Sequence, residues 1–403
     1  MTLASLRATP NALAPSYARF GVDGPRLLLT GHSHQAWPDV AREGVVAAFD
    51  DAAALADEKW ERAFAAADAV RAGFRRWLDD AHADLALGAS THELVVRLLS
   101  ALDLRARPRI VTTGGEFHTL RRQLARLSET GLVDVVRVDP APVDTLAERL
   151  RAAVDDRTAA VFVSAVLFES GAVVPGLDGL SRACARVGTE LVVDAYHALG
   201  PTRFSVGALG LDTAWVVGGG YKYLQLGEGN CFLRVPPHAR THRPAITGWY
   251  AEFGALAERQ DGELVAYSAG GAARFAGATY DPTSHYRAAR VVTFFAERGL
   301  TPDLLPAVYR HQVGRLAAAF DALDLPETAV ARDRTVPPDR VGGFLALHTP
   351  HAAELQAALA RTGVLTDSRG DVLRLGPAPY LSDAQLDAAA GVLGETVAER
   401  ILS

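Results

Sequence analysis

Four short segments carry residue types that could do chemistry together. In Trp215-Val-Val-Gly-Gly-Gly-Tyr-Lys-Tyr-Leu-Gln-Leu-Gly-Glu-Gly229, Lys222 follows an apolar run and three glycines. Glycines let a backbone approach a ligand closely. A partly desolvated lysine is neutral often enough to add to a carbonyl and form a Schiff base. A solvated lysine in a glycine loop would leave the same trace. The segment lacks the glycine spacing of a dinucleotide loop, and no Lys-Ser/Thr pair follows as in a Walker loop. Leu191-Val-Val-Asp-Ala-Tyr-His197 ends an apolar run on Asp194. A carboxylate there is costly to bury unless it meets a cation or donors. His197 could reach the same ligand, although a structural ion pair fits as well. In Gly88-Ala-Ser-Thr-His-Glu93, Ser90 and Thr91 precede a helical stretch. They suit a phosphate at a helix N-terminus, or a plain N-cap. In Val372-Leu-Arg-Leu-Gly-Pro-Ala-Pro-Tyr380, the planar fork of Arg374 could hold a carboxylate or form a surface ion pair.

Together the segments describe a site for pyridoxal 5'-phosphate (PLP). A phosphate cradle comes first, then a strand-end aspartate, and Lys222 about 28 positions beyond it. The aspartate would keep the pyridine nitrogen protonated, which makes the ring an electron sink. The lysine would hold the cofactor and then move protons.

The elements that must position these residues can be read from the apolar runs. Strand-length runs occur at Leu85–Gly88, Ile110–Thr113, Val133–Val138, Ala159–Val163, Glu190–Asp194, Thr213–Val217 and Cys231–Val235. Helical periods fall between several of them, at Glu93–Leu102, Leu120–Glu129, Val143–Val154 and Leu177–Val187. Strand–helix alternation predicts an α/β fold with a mostly parallel seven-stranded sheet covered on both faces. After a loop signal at Asp281–Ser284, the stretches Tyr286–Glu297, Leu304–Leu323, Gly342–His348, Ala352–Thr362 and Asp383–Ile401 suit a smaller α+β unit. The expected organisation is an N-terminal segment (1–30) packing with the small domain, a large PLP-binding domain (31–284) and a C-terminal small domain (285–403).

Composition excludes several classes of function. The chain of 403 residues has 41 Lys+Arg against 47 Asp+Glu, a formal charge of −6, and no basic stripe, so nucleic acid is not an expected partner. Two cysteines, Cys184 and Cys231, exclude a disulfide scaffold and a cysteine zinc site, and no metal is expected. The N-terminus has no apolar core of a signal peptide. No run reaches the roughly 18 apolar residues of a membrane span. A soluble cytoplasmic enzyme is the expectation.

From about Leu27 to Tyr380 the chain resembles the kynureninase family of class V, fold-type I PLP enzymes. The resemblance rests on Tyr221-Lys-Tyr-Leu224 with Gly227-Glu-Gly229, on Pro244-Ala-Ile-Thr-Gly-Trp-Tyr250, on Asp194-Ala-Tyr-His197 and on Arg374 to Tyr380. It implies Lys222 as the Schiff-base lysine and Tyr221 as a phosphate ligand that assists proton transfer. Asp194 would face the pyridine nitrogen and His197 the phenolic edge of the ring. Ser90 and Thr91 would hold the phosphate, and Phe117 would stack on the ring. Trp249 and Thr279 would reach the phosphate from a neighbouring subunit, which implies a homodimer with shared sites. Arg374 would clamp a substrate α-carboxylate.

The family's substrate-pocket positions differ. They read His32-Ser-His-Gln35, Ala56-Asp-Glu-Lys-Trp60, Leu120 and Phe168-Glu-Ser-Gly171 here. Ser33, His32, His34 and Glu169 could instead serve a polar substrate, or be solvated loop residues. The resemblance therefore implies PLP chemistry on an amino acid, by hydrolytic Cβ–Cγ cleavage or related β-lyase chemistry, with weak or no activity on kynurenine. A class V aminotransferase or a β-eliminating lyase is the alternative. A PLP-fold binding protein would have no need of Lys222, Asp194 and Arg374 together. A cysteine desulfurase needs a mobile cysteine in its second domain, and none follows Cys231.

Overall fold

The computed structural model describes residues 1–255 and 264–402. Its strands are β1 (Leu27–Leu28), β2 (Asp84–Gly88), β3 (Arg109–Thr113), β4 (Asp134–Val138), β5 (Thr158–Ser164), β6 (Glu190–Asp194), β7 (Trp215–Gly219), β8 (Cys231–Val235), β9 (Leu345–His348), β10 (Val364–Leu365), β11 (Asp367–Arg369) and β12 (Val372–Leu375). Seven of them form the central sheet, in the order β2-β8-β7-β6-β5-β3-β4. β8 is antiparallel to both its neighbours, and the other pairings are parallel. The fold is the expected α/β architecture.

Side-chain alternation explains why these strands read as unbroken apolar runs. Val111, Val161, Val163, Leu191, Val193 and Val216 enter one core. Ile110, Ala160, Phe162, Val192, Trp215 and Val217 enter another. Both faces of the sheet are therefore covered, as parallel sheets require.

Two features depart from the sequence reading. The strand expected at Thr213–Val217 lies two residues later, so Gly218 and Gly219 belong to β7. A Cβ on Gly219 would sit 2.4 Å from the Tyr196 hydroxyl. These glycines permit close passage inside a strand, whereas glycine in sequence suggests a loop. The helices Ala41–Leu55 and Lys59–Leu78 were also not anticipated. The first buries only Ala41, Gly44 and Ala48, so no large apolar stripe marks it. It crosses the Thr283–Glu297 helix at Gly44, whose Cβ would meet the Tyr286 carbonyl oxygen at 2.4 Å.

The C-terminal part builds the antiparallel sheet β11-β12-β9. It carries the helices Leu304–Ala322, Ala352–Arg361 and Asp383–Arg400. The N-terminal segment joins it, because β1 pairs in parallel with β10. The chain then crosses to the large sheet, with Gly31 N–H donating to Gly376 O at 2.8 Å. Among the described residues, no helix is long and apolar enough to cross a membrane.

Candidate active site

The carboxyl ends of β3, β5, β6 and β7 lie along one edge of the sheet, where open α/β sheets bind ligands. Past β7 the chain folds tightly. Gly220 N–H donates to Asn230 O at 2.8 Å and Leu226 N–H to Gly220 O at 2.9 Å. A Cβ on Gly220 would overlap Leu226, at 2.4 Å. This turn drives Lys222 inward until it is 5% exposed. Its Nζ lies 2.6 Å from His197 Nε2, 4.8 Å from the centre of the Tyr196 ring and 5.3 Å from that of Phe117. Burial pushes the amine down to about 7, against the pull of the Asp194 carboxylate.

Asp194 ends β6 opposite Ser164 of β5 and Val217 of β7. Its Oδ1 accepts the Tyr196 amide at 2.7 Å, and burial raises its pKa. Below it lies Glu116, which the sequence reading passed over. Glu116 accepts from Ser164 N–H (3.1 Å), Ser164 Oγ (2.6 Å) and Thr113 Oγ1 (2.8 Å). Burial raises it to about 7.

The Thr91–Ser100 helix starts at the same edge. Ser90 is its N-cap, accepting from Glu93 N–H at 3.3 Å, and Glu93 Oε2 accepts from Ala89 N–H at 3.1 Å. The first-turn amide of Thr91 reaches the Cys231 sulfur and that of His92 makes no intrahelical bond, so this end keeps a donor and a positive dipole end for an anion.

These groups surround a cavity of about 260 Å³. Ser90, Thr91, Phe117, Asp194, His197, Tyr221 and Lys222 all line it. So do Ser164, Phe168, Tyr196, Glu228 and Cys231. Burial pushes the Cys231 thiol up to about 12 and the Tyr221 phenol up to about 12, so both are protonated near neutrality.

Other expected site residues lie outside this lining. Arg374 is buried behind Phe168, giving Nη1 to Phe168 O at 2.7 Å and Nη2 to Asp367. Its Nε has no partner. Burial alone would raise Asp367, but His32 and Arg374 hold it well below the usual carboxylate range. His32 is buried, 3.5 Å from Asp367, and burial pushes it down to about 4. Ser33 Oγ bonds the exposed His34, whose ring lies 5.4 Å from that of Tyr221. Glu169 is exposed. Trp249 is 44% exposed and gives Nε1–H to Thr279 Oγ1 at 3.3 Å.

Two further signals in the sequence mark this site. Asp367 and Arg374 sit equally far from the Gly370-Asp371 turn, which makes them cross-strand partners. The chain also has only two lysines, Lys59 and Lys222, so a lysine after a strand is conspicuous.

No protein-family model matches the chain. Acetylornithine aminotransferases of Mycobacterium bovis and Mycobacterium tuberculosis are 29% identical over 325 residues, covering 74% of this chain and 68% of theirs. Among solved structures, a lysine-to-alanine variant of C-DES with glycine covalently linked to its PLP cofactor matches with a TM-score of 0.82. It is 14% identical, over 94% of this chain and 98% of that one. The cystine C–S lyase C-DES in complex with its product cysteine persulfide matches at 0.78, with 15% identity over 91% and 96%. The cysteine desulfurase CsdA of Escherichia coli matches at 0.76, with 16% identity over 98% of each chain. The fold is thus that of fold-type I PLP-dependent enzymes.

Proposed function

We propose that the protein is a PLP-dependent enzyme that acts on an α-amino acid and eliminates a polar substituent from Cβ. The observation that carries this reading is the buried Lys222 amine, set between Asp194 and an open helix N-terminus around one cavity. The residues fit the cofactor. Lys222 would hold it through Nζ, Ser90, Thr91 and the amide of His92 would take the phosphate, Asp194 would face the ring nitrogen, and Phe117 would lie against the ring. When bound, PLP supplies an electron sink for a negative charge developed at the substrate Cα.

The chain's own groups do the rest. Asp194 holds a proton at the ring nitrogen. Lys222, near neutrality in its folded surroundings, would take the proton from Cα and give it to the substituent, which leaves Cβ with the bonding electron pair. Arg374 would meet the substrate carboxylate through its unpartnered Nε, while Asp367 keeps the guanidinium fixed. Phe168 and Tyr196 keep water from the reacting centre.

Elimination is favoured by the lining, where Thr119, Ser164 and Glu228 offer polar contacts to a leaving group. Both cysteines are buried, and Cys231 sits on a strand with its thiol protonated. Neither is the mobile nucleophile of a desulfurase, so a sulfur substituent would leave as a small molecule. Transamination is a second reading, favoured by the likeness to acetylornithine aminotransferases. Kynureninase-type hydrolysis begins with the same proton transfer. We also propose a homodimer, in which the exposed Trp249 and Thr279 of one subunit complete the phosphate site of the other.

Purified protein should absorb at about 420 nm with PLP, and borohydride should abolish the band. Peptide mapping should place the reduced adduct on Lys222 and not Lys59. β-Substituted amino acids should then yield a 2-oxo acid and ammonia without an added amino acceptor. A strict need for a 2-oxo acid acceptor would replace elimination by transamination. Efficient conversion of kynurenine to anthranilate would replace it by hydrolysis. A protein with no lysine-bound cofactor would end the reading.

A further inference from the structure

The second tyrosine of Tyr221-Lys-Tyr-Leu224 lies beneath the lysine and outside the cavity lining. Tyr223 is 1% exposed, and its hydroxyl lies between two partners. His197 Nδ1 is 3.3 Å away and Gly342 O is 3.5 Å away. The ring is gripped by glycines. A Cβ on Gly343, which has φ of +75°, would come within 2.5 Å of the ring, and one on Gly200 within 2.8 Å of Tyr223 Cβ. The carbonyl is fixed too, because Gly342 N–H donates to Gly171 O at 2.8 Å and Val173 N–H to Arg340 O at 2.9 Å.

A carbonyl oxygen can only accept. With its hydrogen given to Gly342 O, the Tyr223 hydroxyl can serve His197 only as an acceptor of a hydrogen bond from Nδ1–H. Nε2 is then a bare lone pair, facing Lys222 Nζ at 2.6 Å. We propose that Tyr223 is a positioning residue that fixes His197 as its Nδ1–H tautomer, so that the Lys222 amine donates to His197 and keeps its own lone pair for the cavity. The opposite tautomer would donate Nε2–H into that lone pair and quench it as a nucleophile.

Burial holds His197 well below its usual range, so the ring is neutral and has a single N–H to place. The other charged or titratable groups facing Lys222 are Asp194 on β6, Tyr196 in the turn after it, Tyr221 beside it, Cys231 on β8, and Arg374 with Asp367 on the β11–β12 hairpin. His32 also faces Lys222, and the charged or titratable groups acting on His197 are Lys222, His32 and Arg374, while its Nδ1 meets the Tyr223 hydroxyl. The proposal deepens the PLP reading and takes the importance of Lys222 from it.

The test uses protein without cofactor, so it is independent of that reading. In ¹⁵N-histidine-labelled protein, with His197 assigned by difference from His197→Gln, the wild type should show Nδ1 protonated and Nε2 bare. Tyr223→Phe keeps the ring in its slot and removes only the hydroxyl, and should lose that signature. Amine modification followed by mass mapping reads Lys222 and Lys59 separately. In Tyr223→Phe the Lys222 rate at pH 8 should fall about tenfold, the order expected for one hydrogen bond, with Lys59 unchanged. An Nε2–H tautomer in the wild type overturns the proposal whether or not the variant folds. An unchanged His197 spectrum or Lys222 rate in a folded Tyr223→Phe overturns it as well. Failure of the borohydride experiment with wild-type protein would instead count against PLP alone.

Discussion

Asp194 and Lys222 owe their properties to the same burial. Asp194→Asn should retain cofactor yet lose at least about 10²-fold in turnover, since an amide cannot hold the ring nitrogen protonated. Steady-state kinetics on the saturated variant check this, and near wild-type turnover would make the residue structural. Lys222 titrates at about 7, so its reactive neutral form grows as pH rises through that value. Capture of added PLP by the cofactor-free protein should therefore quicken from pH 6 to pH 8, which stopped-flow absorbance would follow. These two residues are legible in sequence because each stands where an apolar run ends. Glu116 is not. Its neighbours Gly115 and Phe117 mark a loop, and only the fold brings Ser164 from a distant strand to bond it. Its raised value has a sign that can be checked. The folded chain keeps this carboxyl protonated up to about 7, whereas an unfolded one ionises near 4.5, so its contribution to stability falls as pH rises across that window. Glu116→Gln cannot ionise. Urea midpoints at pH 5 and pH 8 should show the variant gaining on the wild type at the higher pH, and parallel behaviour would refute the assignment.

Elements were legible where burial is two-sided. The central strands read as apolar runs because both faces are covered, and their order along the chain matches the expectation. β7 was displaced because its glycines serve packing, Gly218 against Phe232 and Gly219 against Tyr196, and not a turn. The Ala41–Leu55 helix was missed because small residues suffice where two backbones nearly touch. The β11–β12 hairpin shows how an element can carry a functional group. Asp367 and Arg374 face each other across it, both largely buried. Asp367→Ala would strand a guanidinium out of water and should cost roughly 3 kcal/mol in urea unfolding. Replacing both, as Asp367→Leu with Arg374→Met, should recover most of that stability while leaving KM for the amino acid high. A single variant as stable as the wild type would show that the pair is not what holds the hairpin.

At the scale of the molecule, Ile246, Trp249, Phe253, Leu264 and Val265 are all exposed in the isolated chain. A second copy would cover such a patch, and closed two-fold dimers are the commonest assembly. Light scattering should give a dimer, and Trp249→Asp should shift it towards monomer and weaken cofactor retention together. A fully active monomer would contradict the shared site. The pairing of β1 with β10 has a consequence for how the chain is made. Leu27 is aligned with Val364, so the first strand leaves the ribosome long before its partner exists. Tyr17, which bonds Gln225 three residues past Lys222, waits in the same way. Contacts of such long sequence separation close late. The Tyr17 bond can close as soon as Gln225 has been made, whereas the β1–β10 pairing waits for residues 364 and 365, so the lysine loop is braced in two stages separated by about 140 residues of synthesis.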